Sequence, residues 1–325
     1  MREAFLNFPQ QLIWEPKLEN KDRLPRGANR FVVAGMGGSH LAADLLRMLD
    51  PSLRLTVHKD YGLPPLSTDE LAESFVICSS YSGNTEETLD VYNAAAKLRI
   101  SRGVAAVGGR LLEIAKRDAV PYVQLPDTGI QPRSALGFSV KALLKLMGKD
   151  EILRELVGFG RSLQVLRAEE LEDRGRELAE RLKGYIPIIY ASERNYPIAY
   201  NWKIKFNETG KIPAFCNAFP ELNHNEMTGF DINDTTKNLS ERFIFILLED
   251  SNDDHPRIQK RMEVLAKLLK SRNFKIEIQE LEGVNIFHKI FSSLLVADWA
   301  SFYLAQAYGV DPEQVPMVEQ FKKLI

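Results

Sequence analysis

The chain has 325 residues, 45% of them hydrophobic and 26% charged, which is ordinary globular usage and gives length enough for a pair of α/β domains. A formal net charge of -2, with Lys and Arg scattered along the chain, leaves no footprint for nucleic acid, so any anionic ligand has to be held by local groups. Cys78 and Cys216 stand far apart with no CxxC pair, and the chain shows neither a signal-peptide run nor an apolar run of membrane length; the expectation is a soluble cytoplasmic protein without disulfides, zinc ribbon or membrane partner.

In chain order, the apolar run FVVAG from Phe31 ends in glycines and leads into HLAADLLRML, whose apolar residues recur at helical spacing: a strand, a Gly loop and a helix. LRLTVHK from Leu53 is the next strand. SFVICSS from Ser74 follows, running through the polar loop YSGNT into the helix EETLDVYNAAAKLR. GVAAVGG from Gly103, a helix around LLEIAKR and PYVQLP from Pro121 continue the alternation, which predicts a mainly parallel sheet flanked by helices. The stretch from about Lys149 to Gly184, rich in Glu, Arg and Leu, predicts connecting helices. A second alternating series opens with YIPIIYAS from Tyr185 and a helix to about Asn207. It continues through the strands IPAFCNAF and RFIFILLED, the helix HPRIQKRMEVLAKLLKSR and the strand FKIEIQEL. A long helix from about Ile286 to Tyr308 and a short one behind Pro316 close it. The expected fold class is α/β with tandem domains at 1–150 and 151–325.

Two loops have the composition of an anion cradle. GMGGSH, Gly35 to His40, joins a strand to a helix, where free amides and the helix dipole favour negative charge; a tight βα turn needs glycine for geometry alone, so both readings stand. The dinucleotide fingerprint fails because His40 occupies the position of its third glycine, and no GxxxxGK[ST] occurs. In SSYSGNTEETL, residues Ser79, Ser80, Ser82, Asn84 and Thr85 crowd the turn into a helix, a neutral cradle that would bind a phosphate dianion by hydrogen bonds alone. A capping box, Asn84 with Glu87, is the plainer explanation, but capping uses one such residue rather than five.

A strand ending in SYSGNTEET, preceded by a GMGGS turn at the first strand, resembles the sugar isomerase (SIS) domain family. Taken with the ERN, NETGK and NHNE segments further on, the chain resembles the bifunctional phosphoglucose/phosphomannose isomerases over nearly its whole length. The resemblance implies two tandem SIS-type domains and phosphate binding by Gly38, Ser39, Ser80, Ser82 and Thr85. It also implies an aldose–ketose isomerase of glucose 6-phosphate and fructose 6-phosphate, with mannose 6-phosphate as a further substrate, acting through a cis-enediol without a cofactor. By the same resemblance Glu208, in FNETGK, is the base. His224, in ELNHNEM, assists ring opening from the neighbouring subunit of a homodimer with shared active sites, and Arg133, in QPRSALGFS, faces the developing enediolate. The last helix offers Lys322 and Lys323, of which Lys322 aligns with the ring-opening lysine.

Each of these residues also has a plain structural reading. Glu208 sits where a solvated helix-terminal glutamate is common, His224 where surface histidines are common, Arg133 where a salt bridge would suffice, and Lys322 where the helix dipole favours a cation. Glu221 and Glu226 flank His224 and either raise its basicity or pair elsewhere. No second histidine stands at metal-ligand spacing from His224, and no HExxH or cysteine cluster occurs, so no metal is expected. Two departures from the family pattern bear on specificity. Val315 stands where a threonine linked to mannose phosphate can occur, and His40 stands in a loop where small residues are usual, either narrowing the pocket or capping the helix. The rival function is a non-catalytic sugar-phosphate sensor of the same fold, which would be expected to carry a DNA-binding segment that the sequence lacks.

Overall fold

The computed structural model describes Met1–Ser162, Leu166–Ile232 and Asp234–Leu324. The chain divides into two compact units: an N-terminal unit, Leu6–Val165, and a C-terminal unit formed by Leu166–Ile325 with Met1–Phe5.

The N-terminal unit is built on a six-stranded sheet. Its strands are β1 (Leu18–Glu19), β2 (Arg30–Ala34), β3 (Arg54–His58), β4 (Ser74–Ser79), β5 (Arg102–Ala106) and β6 (Tyr122–Gln124), in the spatial order β1-β6-β5-β4-β2-β3. All neighbours are parallel except β1, which runs antiparallel to β6 at the edge. β4 is buried along its whole length and β2 along all but its first residue, which is why both read as unbroken apolar runs rather than alternating ones. Chain order reverses between β2 and β4, since β3 follows β2 to one edge while β5 and β6 extend beyond β4.

Helices α1 (Arg2–Leu6) and α2 (Phe8–Ile13) open the chain. They are followed by α3 (Gly38–Leu49), α4 (Thr68–Ala72), α5 (Glu86–Lys97), α6 (Gly109–Arg117), α7 (Leu136–Leu146) and α8 (Asp150–Arg161). One face of the sheet is covered by α5 and α6, whose Val91, Tyr92, Ala95, Leu111, Leu112 and Ala115 bury a core with Val32, Val76, Cys78 and Val104.

The short α2 is secured from within this unit. Gln11, almost wholly buried, donates to the Ser134 carbonyl at 2.8 Å and accepts from the Gly137 amide at 3.0 Å, and Lys141 of α7 donates to the Leu12 carbonyl at 2.6 Å near the helix C-terminus. Burial pushes the Lys141 amine down to about 8, with Glu15 opposing and Arg161 assisting the shift. Between about 8 and the ordinary 10.5 the unfolded chain binds more protons than the folded one, so stability rises with pH across that window, while below it the penalty of a buried charge is fully present. Relative to Lys141→Met, the wild type should therefore gain in thermal midpoint as pH is raised from about 8 to about 10; a constant difference would show that Lys141 keeps its charge throughout.

In the C-terminal unit a four-stranded, wholly parallel sheet has the order β10-β9-β7-β8. Its strands are β7 (Ile186–Ser192), β8 (Phe215–Phe219), β9 (Phe243–Glu249) and β10 (Lys275–Glu280). Its helices are α9 (Ala168–Leu182), α10 (Tyr196–Glu208), α11 (Lys237–Ser240), α12 (Pro256–Ser271), α13 (Ile286–Ala307) and α14 (Pro316–Lys322). The long α13 is buried on nearly all sides, which explains why it reads as apolar all round instead of as an amphipathic stripe. Phe5 meets Trp299 and Phe302 edge-on at centroid distances of 5.0 and 6.1 Å, and Arg2 pairs with Glu172 at 3.0 Å, so the first residues of the chain belong to this unit. The stretch expected as connecting helices is accordingly divided, α8 lying in one unit and α9 in the other. Among the described residues no helix is long and apolar enough to cross a membrane.

Candidate active site

In open parallel sheets, ligands bind beyond the carboxyl ends of the strands where strand order reverses. In the N-terminal unit that point is the crevice between β2 and β4, and the hydroxyl-rich loops lie just there. Gly35–Gly37 lead from β2 into α3, and Ser80–Thr85 lead from β4 into α5. The loops are bonded to one another, with Ser39 Oγ accepting from the Tyr81 amide at 3.0 Å and Ser79 Oγ donating to the Ser39 carbonyl at 3.1 Å. Ser80 is fully buried. Its hydroxyl lies 2.8 Å from Thr85 Oγ1 and accepts from the Gly83 amide at 3.1 Å, while exposed Ser82 accepts from the Asn84 amide at 3.3 Å.

Helix capping does not account for these side chains. α5 begins at Glu86 with Thr85 as its N-cap residue, yet the Thr85 hydroxyl is turned to Ser80 and makes no cap bond. Asn84 makes no capping box either, because its Oδ1 accepts from the Arg110 amide at 3.0 Å and ties the loop to the turn after β5. That neighbour comes very close: Gly83 has φ +74, and a Cβ there would lie 1.8 Å from the Gly108 carbonyl oxygen, so only glycine fits. The first-turn amides of α5, Glu86 to Thr88, have no carbonyl one turn back to accept them.

A third segment joins the same crevice. Arg133 lies in a 3-10 turn, Pro132–Ser134, that precedes α7. Its backbone amide is so close to Gly38 that a Cβ on Gly38 would come within 2.8 Å of it. The guanidinium is 1% exposed and donates to Gln131 Oε1 at 3.4 Å. The Gln11 bonds described above support this turn from beneath, a role for the N-terminal segment that no sequence pattern announces. His40 neither caps α3, whose N-cap is Gly37, nor is open to solvent; at 2% exposure its Nδ1 lies 2.8 Å from Asp44 Oδ2 one turn on. Thus Gly38, Ser39, Ser80, Ser82, Thr85 and Arg133 all belong to the N-terminal unit.

Glu208, His224 and Lys322 lie in the C-terminal unit. Glu208 is the last residue of α10 and half-buried; the Lys211 amine donates to its carbonyl. α10 is fixed to α13 by the buried pair Lys205–Asp298 at 2.6 Å and by the Trp202 indole donating to Ser293 Oγ at 3.0 Å. His224 is exposed in the loop after β8. Neither flanking carboxylate is spent on it. Glu221 accepts from Asn225 Nδ2 at 2.7 Å, and Glu226 accepts from the Tyr190 hydroxyl at 2.6 Å and from the Asn217 amide. Lys322 ends α14, is exposed and pairs with Glu319 at 3.0 Å; Val315 is the N-cap residue of the same helix. The residues that sequence reasoning missed are Tyr190 and Asn217, because nothing in the two strands that carry them marks the polar side chains as partners of the His224 loop.

Tandem parallel sheets, with a hydroxyl-lined βα crevice at the strand reversal of the first, define the class of two-domain sugar isomerase proteins. A tagatose-6-phosphate ketose/aldose isomerase from Escherichia coli shares this fold with a TM-score of 0.66 over 95% of this chain and 93% of its own, at 14% identity. The family model described as bacterial phospho-glucose isomerase C-terminal SIS domain matches residues 171–325. A bifunctional phosphoglucose/phosphomannose isomerase from Aquifex aeolicus is 34% identical over 97% of this chain and 95% of its own. One from Caldicellulosiruptor bescii is 34% identical over 99% and 98%. The chain belongs to the bifunctional phosphoglucose/phosphomannose isomerase family.

Proposed function

We propose that the protein is an aldose–ketose isomerase that interconverts glucose 6-phosphate with fructose 6-phosphate, and mannose 6-phosphate with fructose 6-phosphate, by proton transfer between C1 and C2 through a cis-enediol. The observation that carries this reading is the neutral hydroxyl-and-amide crevice at the β2/β4 reversal, in a chain whose end-to-end relatives are named for these two activities. Its amides and hydroxyls suit a phosphate monoester dianion, with Ser39, Ser80, Ser82 and Thr85 as the binding hydroxyls and Gly38 giving the room for close approach. In this reading Glu208 is the base, Arg133 stabilises the enediolate, and His224 and Lys322 open the sugar ring, with His224 supplied by the second subunit of a homodimer. The tandem domains act as one enzyme in the cytoplasm.

Isomerisation in heavy water tests the chemistry. Solvent deuterium is expected at C2 of glucose 6-phosphate and at C1 of fructose 6-phosphate recovered during turnover, because an enediol intermediate leaves the transferred proton on an exchangeable carboxyl. Turnover with no label would point to a hydride shift, and tight phosphate-ester binding with neither turnover nor label would point to the sensor of the same fold.

A further inference from the structure

The loop after β8 holds His224 up to solvent but is secured on both sides of it. Before His224, Leu222 is wholly buried in the core of the C-terminal unit with Phe219, Tyr190 and Phe245; after it, Met227 and Phe230 pack on that core, and the Phe230 ring meets Phe245 at 4.8 Å. Between these apolar anchors stands one polar one. Glu226 turns its carboxylate inward, where Oε1 accepts from the Tyr190 hydroxyl of β7 at 2.6 Å and Oε2 accepts from Asn217 Nδ2 of β8. Asn217 cannot flip freely, since its Oδ1 already accepts from the Ala218 amide at 2.8 Å, so its NH2 is committed to a negative or neutral acceptor. Burial, reinforced by the Glu226 bond, pushes the Tyr190 hydroxyl far above the ordinary tyrosine range, so it remains a donor at every working pH.

We infer that Glu226 is a positioning residue for His224: by bridging adjacent strands of the C-terminal sheet it fixes the height and direction of the loop that presents the imidazole. This rests on the proposed role of His224 in ring opening. It assigns the carboxylate two residues from His224 a different job from the one expected of a neighbouring acid, since its lone pairs serve the core and leave the imidazole alone. Charge-assisted bonds from two rigid strands hold a loop more narrowly than apolar packing does, and positional error is costly in catalysis.

The test is a set of variants of the full chain assayed for isomerase turnover and thermal midpoint. Glu226→Gln removes the charge from both bonds and sets either an NH2 against the NH2 of Asn217 or an NH2 against the Tyr190 hydroxyl, which then has to accept instead of donating. It should lower kcat by about 30-fold, within the roughly 100-fold that a misplaced group costs, with KM changed by less than about 3-fold. Adding Asn217→Asp to Glu226→Gln restores a donor opposite an acceptor and should bring kcat back to within about 3-fold of wild type, whereas Asn217→Asp alone, which opposes two carboxylates, should not. In a His224→Ala background, Glu226→Gln should cost less than about 2-fold more, because the group it positions is gone. Tyr190→Phe, a smaller change that keeps the packing, should act in the same direction by about 5-fold and should likewise be silent in the His224→Ala background. Equal losses in both backgrounds, or a wild-type kcat in Glu226→Gln, would overturn the inference while leaving the isomerase reading intact. Wild-type turnover in His224→Ala would instead remove the role of His224 itself, and absence of solvent label in wild-type product would remove the enediol reading.

Discussion

Glu208→Gln is expected to bind hexose 6-phosphates with nearly wild-type affinity while kcat falls by about 10³- to 10⁴-fold, a loss of about 4 to 5.5 kcal/mol of transition-state stabilisation. Glutamine keeps the shape of the side chain and most of its hydrogen bonding but cannot take a proton from carbon. The local structure suits this test because the residue stands at the end of a rigid element. Lys205–Asp298 and Trp202–Ser293 pin α10 to α13, and the Lys211 amine closes the last turn on the Glu208 carbonyl. The substitution leaves those contacts in place, so lost turnover can be assigned to the carboxylate. Isomerase assays and equilibrium binding of a substrate analogue measure the two quantities separately. A kcat within about 10-fold of wild type would exclude Glu208 as the base, since general base catalysis contributes at least about 10².

Most of the architecture was legible from the chain because parallel strands and their covering helices leave strong local patterns. FVVA and SFVICS are apolar without a break since β2 and β4 are buried on both faces, and the amphipathic runs of α5 and α6 follow from one buried stripe each. What escaped notice is either too short to have a period or depends on distant pairing. β1 is two residues long and exists only because Leu18 and Glu19 find Val123 and Tyr122 at the sheet edge. Gln11 looks like any polar residue of an N-terminal helix until the turn at Pro132–Ser134 arrives over it. For the site, the crowd of small hydroxyl residues at the β4–α5 turn was visible, but not its internal order. That Thr85 faces Ser80 and Asn84 reaches the turn after β5 depends on which loops lie side by side. The partner of Glu226 was likewise undecidable from the sequence, because Tyr190 and Asn217 are brought beneath the loop only by the β7–β8 pairing.

The same topological position is lined differently in the two sheets, and this sets the expectation for Lys289. Strand order reverses between β7 and β9 as it does between β2 and β4, but beyond β7 and β9 the crevice is filled with charge. Lys289 of α13 donates to both oxygens of Asp250 at 2.8 Å and also reaches Asp253; Asn195 Nδ2 bridges Asp250 and Asp254 at 3.1 and 3.2 Å, and Arg194 lies 3.6 Å from Asp253. Asp250 and Lys289 are almost wholly buried. Burial opposes the charge on Lys289, yet its bonds to Asp250 and Asp253 outweigh this and hold the amine above the usual lysine range, while burial pushes the Asp254 carboxyl up. Lys289 and Asn195 thereby tie the segments that follow β7 and β9 to α13. Lys289→Met should therefore destabilise the protein by about 3–5 kcal/mol in urea unfolding, the cost of leaving a buried carboxylate without its cation. Adding Asp250→Asn should recover most of the loss at neutral pH, since removing both charges is far less costly than removing one. A Lys289→Met protein as stable as the wild type at neutral pH would mean that water reaches Asp250 and that the crevice is open after all.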